Sequence, residues 1–163
     1  MNKALVKPSI RFHFSWILNG LLAVGPAPRA HRHIDRLSNA GFRSILSLCA
    51  PAEVINQEPG LIVELQNKFN YLNFVLPDHR SGRAPTISEL QQALILAEQA
   101  LFNAPPLYVH CVAAVERSPL VCMAILLQRK GISPLAALDY MQQVHPGTNP
   151  LPQQLALLNS LKP

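Results

Sequence analysis

Charge is scarce in this chain: Asp, Glu, Lys and Arg make up only 14% of its 163 residues, against 49% hydrophobic. That balance excludes a disordered, solvating chain and fits a single domain long enough to bury a sizeable core. The net charge of +5 suits an anionic substrate. Its basic residues are scattered, with no stripe interleaved with aromatics, so nucleic acid is not an expected partner. Cysteine is sparse too. Cys49, Cys111 and Cys122 are odd in number and show neither zinc-ligand spacing nor a disulfide framework, which points to a reducing, cytoplasmic setting. Long apolar runs are missing. Lys3, Lys7 and Arg11 precede an apolar stretch from Phe12 to Val24, but His13, Ser15, Asn19 and Gly20 interrupt it. It makes a poor signal-peptide core and is too short to span a bilayer. Residues 1–12 read as a flexible tail, and no repeat or linker divides 1–163.

What is present is an alternation of short apolar strands and amphipathic helices. Trp16-Ile17-Leu18 and Leu21 to Val24 flank Asn19-Gly20, a dipeptide that tolerates positive φ, so a hairpin is expected. Ile34, Leu37 and Ala40 follow helical spacing up to Gly41, a C-terminal cap. Phe42 to Leu48 reads as a buried strand ending at Cys49, and Tyr71 to Leu76 as another, with a helical repeat on Leu61, Leu65 and Phe69 between them. Thr86 and Glu89 form a capping box for a helix presenting Leu90, Leu94, Ala97 and Leu101. Gly131 closes the next helical pattern, Ser133-Pro134 opens another, and Gln153 to Leu161 reads as a last short helix. Strands separated by helices predict an α/β domain with a mainly parallel sheet covered on both faces, the hairpin adding antiparallel strands. Ligands of such sheets bind beyond the carboxyl ends of the strands, where Cys49, Asp78 and Cys111 fall.

The chemistry concentrates in Leu107 to Met123, LYVHCVAAVERSPLVCM. A strand through His110 ends at Cys111, a loop of Val112, Ala113, Ala114, Val115 and Glu116 follows, and Arg117-Ser118-Pro119 opens a helix. Loop N–H groups and a helix N-terminus converge on one spot and favour negative charge there. Converging donors and Arg117 should lower a thiol pKa from its usual value of about 8.5, so Cys111 is a candidate nucleophile. The planar fork of Arg117 suits two phosphoryl oxygens.

His110, Cys111, the five-residue loop, Arg117 and Ser118, together with Asp78 on a separate loop, resemble the His-Cys-x5-Arg-Ser/Thr signature of the cysteine-dependent protein phosphatases. The layout is most similar to the compact dual-specificity branch. The resemblance implies that Cys111 attacks phosphorus to give a cysteinyl phosphate, Arg117 and the backbone of 112–116 hold the phosphoryl oxygens, and Asp78 serves as general acid. Ser118 would help the sulfur leave. His110 would act behind the nucleophile, and His145-Pro146 with Asn149 would brace the cradle. No metal or other cofactor is implied, because the cradle supplies the charge compensation. The expected substrates are phosphotyrosine or phosphoserine/threonine proteins. The alternatives are a non-protein phosphomonoester such as a phosphoinositide, or a phosphate-binding module with little turnover.

Two positions depart from the signature. Ala114 stands where glycine is usual, and Glu116 stands before the arginine where a small or uncharged residue is commoner. Arg80 and Arg83 follow Asp78, either as solvated charges or as mouth residues favouring a second anionic group. Cys49 ends a strand expected beside that of Cys111. Relatives with a second cysteine there form a reversible disulfide, and a buried strand-end thiol is the plain alternative.

Overall fold

A computed structural model describes residues 12–161. Strands β1 (Ser15–Leu18) and β2 (Leu22–Gly25) form the expected antiparallel hairpin. Leu18 pairs with Leu22, so the loop holds Asn19, Gly20 and Leu21, and Leu21 donates its N–H to Leu18 O at 2.9 Å. Of the dipeptide only Gly20 takes a positive φ, +71°: a longer loop needs one left-handed residue, where a two-residue turn needs two.

Helix α1 (His31–Asn39) ends at Gly41 with φ +92°, whose N–H reaches Ser38 O at 3.0 Å. Strand β3 (Ser44–Ser47), helix α2 (Leu61–Lys68) and strand β4 (Asn70–Asn73) follow. Then come α3 (Ile87–Asn103), β5 (Leu107–His110), α4 (Arg117–Lys130), α5 (Pro134–Val144) and α6 (Pro152–Leu158). The sheet order is β1-β2-β5-β3-β4. Only β1 runs against its neighbour; β2 lies parallel to β5, so the hairpin contributes one antiparallel pairing rather than two antiparallel strands.

Side chains alternate across the sheet with the period of two that strands impose. Ala23, Ile45 and Tyr108 point to one side, packed with Ile34 and Leu37 of α1 and Leu61 and Leu65 of α2. Val24, Leu46 and Val109 point to the other, packed with α3, α4, α5 and α6. Burying these stripes at roughly 25 cal/mol per Å² is the main force holding the layers together. Helix α4 is the axis of the second layer, with every residue from Arg117 to Leu127 buried, Cys122 among them. Strand β4 lies at the sheet edge and is shorter and less buried than the apolar run to Leu76 suggested, since it has a partner on one side only. The last helix also stops earlier than expected, at Leu158.

The reading of residues 1–12 as a tail needs correction at its end. Phe12 is 4% exposed and stacks on His33 at 4.5 Å, because its ring completes the α1 side of the core. Residues 1–11, with Lys3, Lys7 and Arg11, lie outside the described residues.

Candidate active site

The loop from Cys111 to Glu116 joins β5, at the centre of the sheet, to the N-terminus of the buried helix α4. Its carbonyls are held from outside. Val112 O accepts from the Ala27 N–H at 3.1 Å and Val115 O from the Asn149 N–H at 2.8 Å. Ala114 O pairs with His145 Nε2 at 2.7 Å, and Cys111 O with His110 Nδ1 at 2.9 Å. Among the described hydrogen bonds no N–H of residues 112–116 donates to the protein. A peptide whose carbonyl is tied outward presents its N–H inward, so the loop is a set of free donors at a helix N-terminus.

Ala114 adopts φ +58°, so this position does require the left-handed conformation that glycine tolerates best. For alanine that conformation costs about 1–2 kcal/mol. The loop is held there by His145, whose Nδ1 lies 2.8 Å from Ser15 Oγ on β1. Asn149 meets the loop through its backbone N–H, which donates to Val115 O, rather than through its side chain.

Cys111 is buried, with Sγ 3.2 Å from Ser118 Oγ. His110 donates from Nδ1 to Cys111 O, which fixes the neutral tautomer; burial, only partly opposed by that bond, pushes its pKa down to about 4. Arg117 is 3% exposed. Its Nη1 donates to Leu76 O at 3.0 Å and Leu48 O at 3.3 Å, and its two Nη atoms fork onto Glu53 Oε2 and Oε1 at 3.3 and 3.0 Å. Burial opposes its charge and Glu53 more than restores it. Arg117 Nε–H is buried without a partner, as are His33 Nε2 and His110 Nε2 among the described residues; of the three, only the Arg117 nitrogen belongs to a side chain lining the cleft below.

No motif in the sequence marks Glu53. It sits in a 3₁₀ turn, Pro51–Glu53, beyond the carboxyl end of β3, and its Oε2 also accepts the Ala50 N–H at 2.6 Å. Its position at that sheet edge, shared with Cys49 and Asp78, was the available signal. Ser15 and Ala27 gave no signal, because they act from other strands and loops.

Asp78 caps a 3₁₀ turn, His79–Ser81, and lines with Arg80, Cys111, Val112, Glu116 and Arg117 a cleft of about 320 Å³. Its Oδ1 accepts the Arg80 N–H at 3.0 Å and the Ser81 hydroxyl at 3.3 Å. Its Oδ2 accepts the Arg80 Nε–H at 3.0 Å, and lies 3.0 Å from Arg80 Nη2 and 3.9 Å from Arg117 Nη2 as ion pairs. Burial works to raise the Asp78 pKa, but the Arg80 bonds and the two guanidinium charges outweigh it and leave it below the usual carboxylate value. Arg83 does not reach the mouth: both its Nη atoms are spent on Glu89, at 2.6 and 3.0 Å.

Glu116 turns away from the cradle. Its Oε1 accepts the His79 N–H at 2.8 Å and the Gln154 side chain at 3.5 Å, and its Oε2 lies 3.2 Å from His79 Nδ1. The carboxylate therefore ties the Asp78 loop to the start of α4 instead of repelling an anion from within. Cys49 stands past the end of β3, the strand next to β5, as a buried free thiol whose pKa burial raises. Cys122 is likewise a buried free thiol, its pKa pushed well up by burial inside α4.

No family model matches the chain. Phosphatidylglycerophosphate phosphatase PTPMT2 of Arabidopsis thaliana is 23% identical over 144 residues, covering 87% of this chain and 60% of that protein. The chain thus spans about three fifths of the length of that relative. Among solved structures, Tk-PTP in its active form aligns with a TM-score of 0.76 at 24% identity, over 91% of this chain and 95% of that one. PTPMT1 in complex with PI(5)P aligns at 0.77 and 20% identity, over 90% and 92%. Kinase associated phosphatase, with its catalytic cysteine replaced by serine, aligns at 0.76 and 20%, over 93% and 94%. The fold is that of the compact, dual-specificity type of tyrosine phosphatase.

Proposed function

We propose that this chain is a cysteine-dependent phosphomonoesterase. The observation that carries the proposal is the loop of inward N–H donors, with Cys111 Sγ at its base and the one unpartnered N–H of Arg117 at its edge. A phosphoryl group seated there takes its charge compensation from those donors, the Arg117 guanidinium and the α4 terminus. Cys111 Sγ attacks phosphorus as the bond to the leaving oxygen breaks, and Asp78 supplies the proton that oxygen needs. Water then attacks the cysteinyl phosphate, Asp78 takes a proton from it, and the sulfur leaves toward the Ser118 hydroxyl 3.2 Å away. His110 orients the nucleophile's peptide.

The names of the relatives support a phosphorylated lipid or polyol as strongly as a phosphoprotein: one is a phosphatidylglycerophosphate phosphatase and one was solved with PI(5)P. Three free thiols support action in a reducing compartment such as the cytoplasm. None of the described helices is long and apolar enough to cross a membrane.

Hydrolysis of 4-nitrophenyl phosphate, without added metal, tests the reaction. Cys111→Ser should lower kcat by about a thousandfold or more with the fold retained. Equal rates would reject the mechanism, and phosphate binding without turnover by the wild type would leave a binding module. Asp78→Asn should slow alkyl phosphates by about a hundredfold and activated aryl phosphates much less.

A further inference from the structure

Asp78 is placed to be an acid and bonded to be a base. Both oxygens accept from cationic or polar donors, and the oxygen nearer Arg117, Oδ2, is covered twice by the Arg80 guanidinium at 3.0 Å. A carboxyl group that must donate a proton from that oxygen cannot do so while Arg80 remains. The loop itself does not swing aside easily, because His79 is fastened to Glu116 at its backbone N–H. The Arg80 side chain can: it is 63% exposed, and its other ion pair, to Glu53 Oε1, is long at 3.6 Å.

We propose that Arg80 is a releasable lock on Asp78, opened by a second anionic group of the substrate, so that the site selects phosphomonoesters carrying another phosphate or carboxylate beside the scissile one. The proposal rests on the phosphomonoesterase reading and names its substrate class.

The side-chain charges at the site balance. Arg80 and Arg117 face Asp78 and Glu53, and the neighbouring Glu116 is turned to His79. These, with the Ser81 hydroxyl, are the groups that bear on Asp78 from its own loop, from the α4 terminus and from the turn after β3. A phosphate dianion engages the free Nε–H of Arg117, and a second anion on the same molecule draws Arg80 off Oδ2. Asp78 then takes a proton from solvent at Oδ2. It delivers that proton to the leaving oxygen as the P–O bond breaks and the S–P bond forms. Its other oxygen stays oriented by the Arg80 backbone N–H, which no side-chain substitution removes.

The test compares propyl phosphate with propane-1,3-diyl bisphosphate, for wild type and Arg80→Ala. Wild type should turn over the bisphosphate with a kcat about tenfold higher. In Arg80→Ala the ratio should collapse because kcat on propyl phosphate rises, and the alkaline limb of its pH profile should move to higher pH. Equal loss on both substrates, or a higher KM for the bisphosphate with both kcat values unchanged, would overturn the lock, since Arg80 would then be a structural or a plain binding residue. A second readout needs no turnover. In Cys111→Ser, the ¹³C titration midpoint of the Asp78 carboxyl should rise clearly more with bisphosphate than with propyl phosphate, whose phosphate acts only through Arg117; equal shifts with the two ligands overturn the proposal even if the protein hydrolyses nothing. Failure of the phosphomonoesterase reading shows separately, as absent 4-nitrophenyl phosphate hydrolysis. The same bisphosphate linked to diacylglycerol in phosphatidylcholine vesicles, compared with the soluble form, tells whether the second anion belongs to a lipid headgroup or a free phosphate. In both forms the preference must vanish in Arg80→Ala.

Discussion

His110 is neutral in the fold because burial sets its pKa at about 4, below the 6.5 of an unperturbed ring. Between those values the unfolded chain takes up a proton that the folded one refuses, so stability rises with pH across the window and is lost as pH falls through it. The linked effect is of the order of 3 kcal/mol by pH 4. Urea midpoints measured from pH 7 to 4.5 should fall more steeply for wild type than for His110→Asn; parallel curves would show that the ring titrates normally. His110, Cys111, Arg117 and Ser118 were legible in the sequence because one stretch of chain holds them all. Glu53, which shares Arg117 with the cradle, was not: 64 residues separate the partners, and no local pattern marks a carboxylate for a distant guanidinium. Glu116 was legible as an anomaly only, since its harmlessness depends on where its carboxylate turns.

Among the elements, α3 shows how local chemistry sets a boundary. Thr86 Oγ1 accepts the Glu89 N–H at 3.1 Å, and the Glu89 carboxylate accepts the Thr86 N–H at 2.9 Å and pairs with Arg83. Those bonds, the Arg83 bond first, pull the Glu89 pKa to about 2. Its contribution is therefore complete above the usual 4.5 and is lost as pH falls through about 2. Thr86→Ala should cost about 1 kcal/mol in chemical denaturation. Strand β2 shows the opposite case. A Cβ on Gly25 would stand 2.3 Å from the Tyr108 hydroxyl, which is buried and donates to Pro26 O at 2.6 Å. Gly25→Ala should cost about 2–4 kcal/mol, partly recovered in Gly25→Ala/Tyr108→Phe, where the obstructing hydroxyl is gone. The capping box was plain in the sequence, but the need for glycine at 25 arises from Tyr108 on β5, a strand distant in the chain.

Across the whole molecule, the cradle is held by parts that meet only in the folded state: Ser15 of β1 through His145 after α5, Ala27 after β2, and Asn149 before α6. Glu116 joins the Asp78 loop to α4 and Gln154 of α6 in the same way. Removing that carboxylate in Glu116→Ala should speed hydrogen exchange at the amides of 79–82 by about tenfold while α4 keeps its protection; unchanged rates would mean the loop is fixed by other contacts. The amino-acid sequence by itself determined the alternation of strands and helices, the placing of the thiol between a strand and a helix, and the type of fold. Each of these follows from periodicity, caps and a short contiguous motif, which are local properties of a chain. The tertiary structure decided that Arg117 is clamped by Glu53, that Ala114 is held left-handed by His145, and that Asp78 rests under Arg80. Those depend on which way side chains turn once distant segments pack around one sheet edge, and no spacing along the chain encodes that direction.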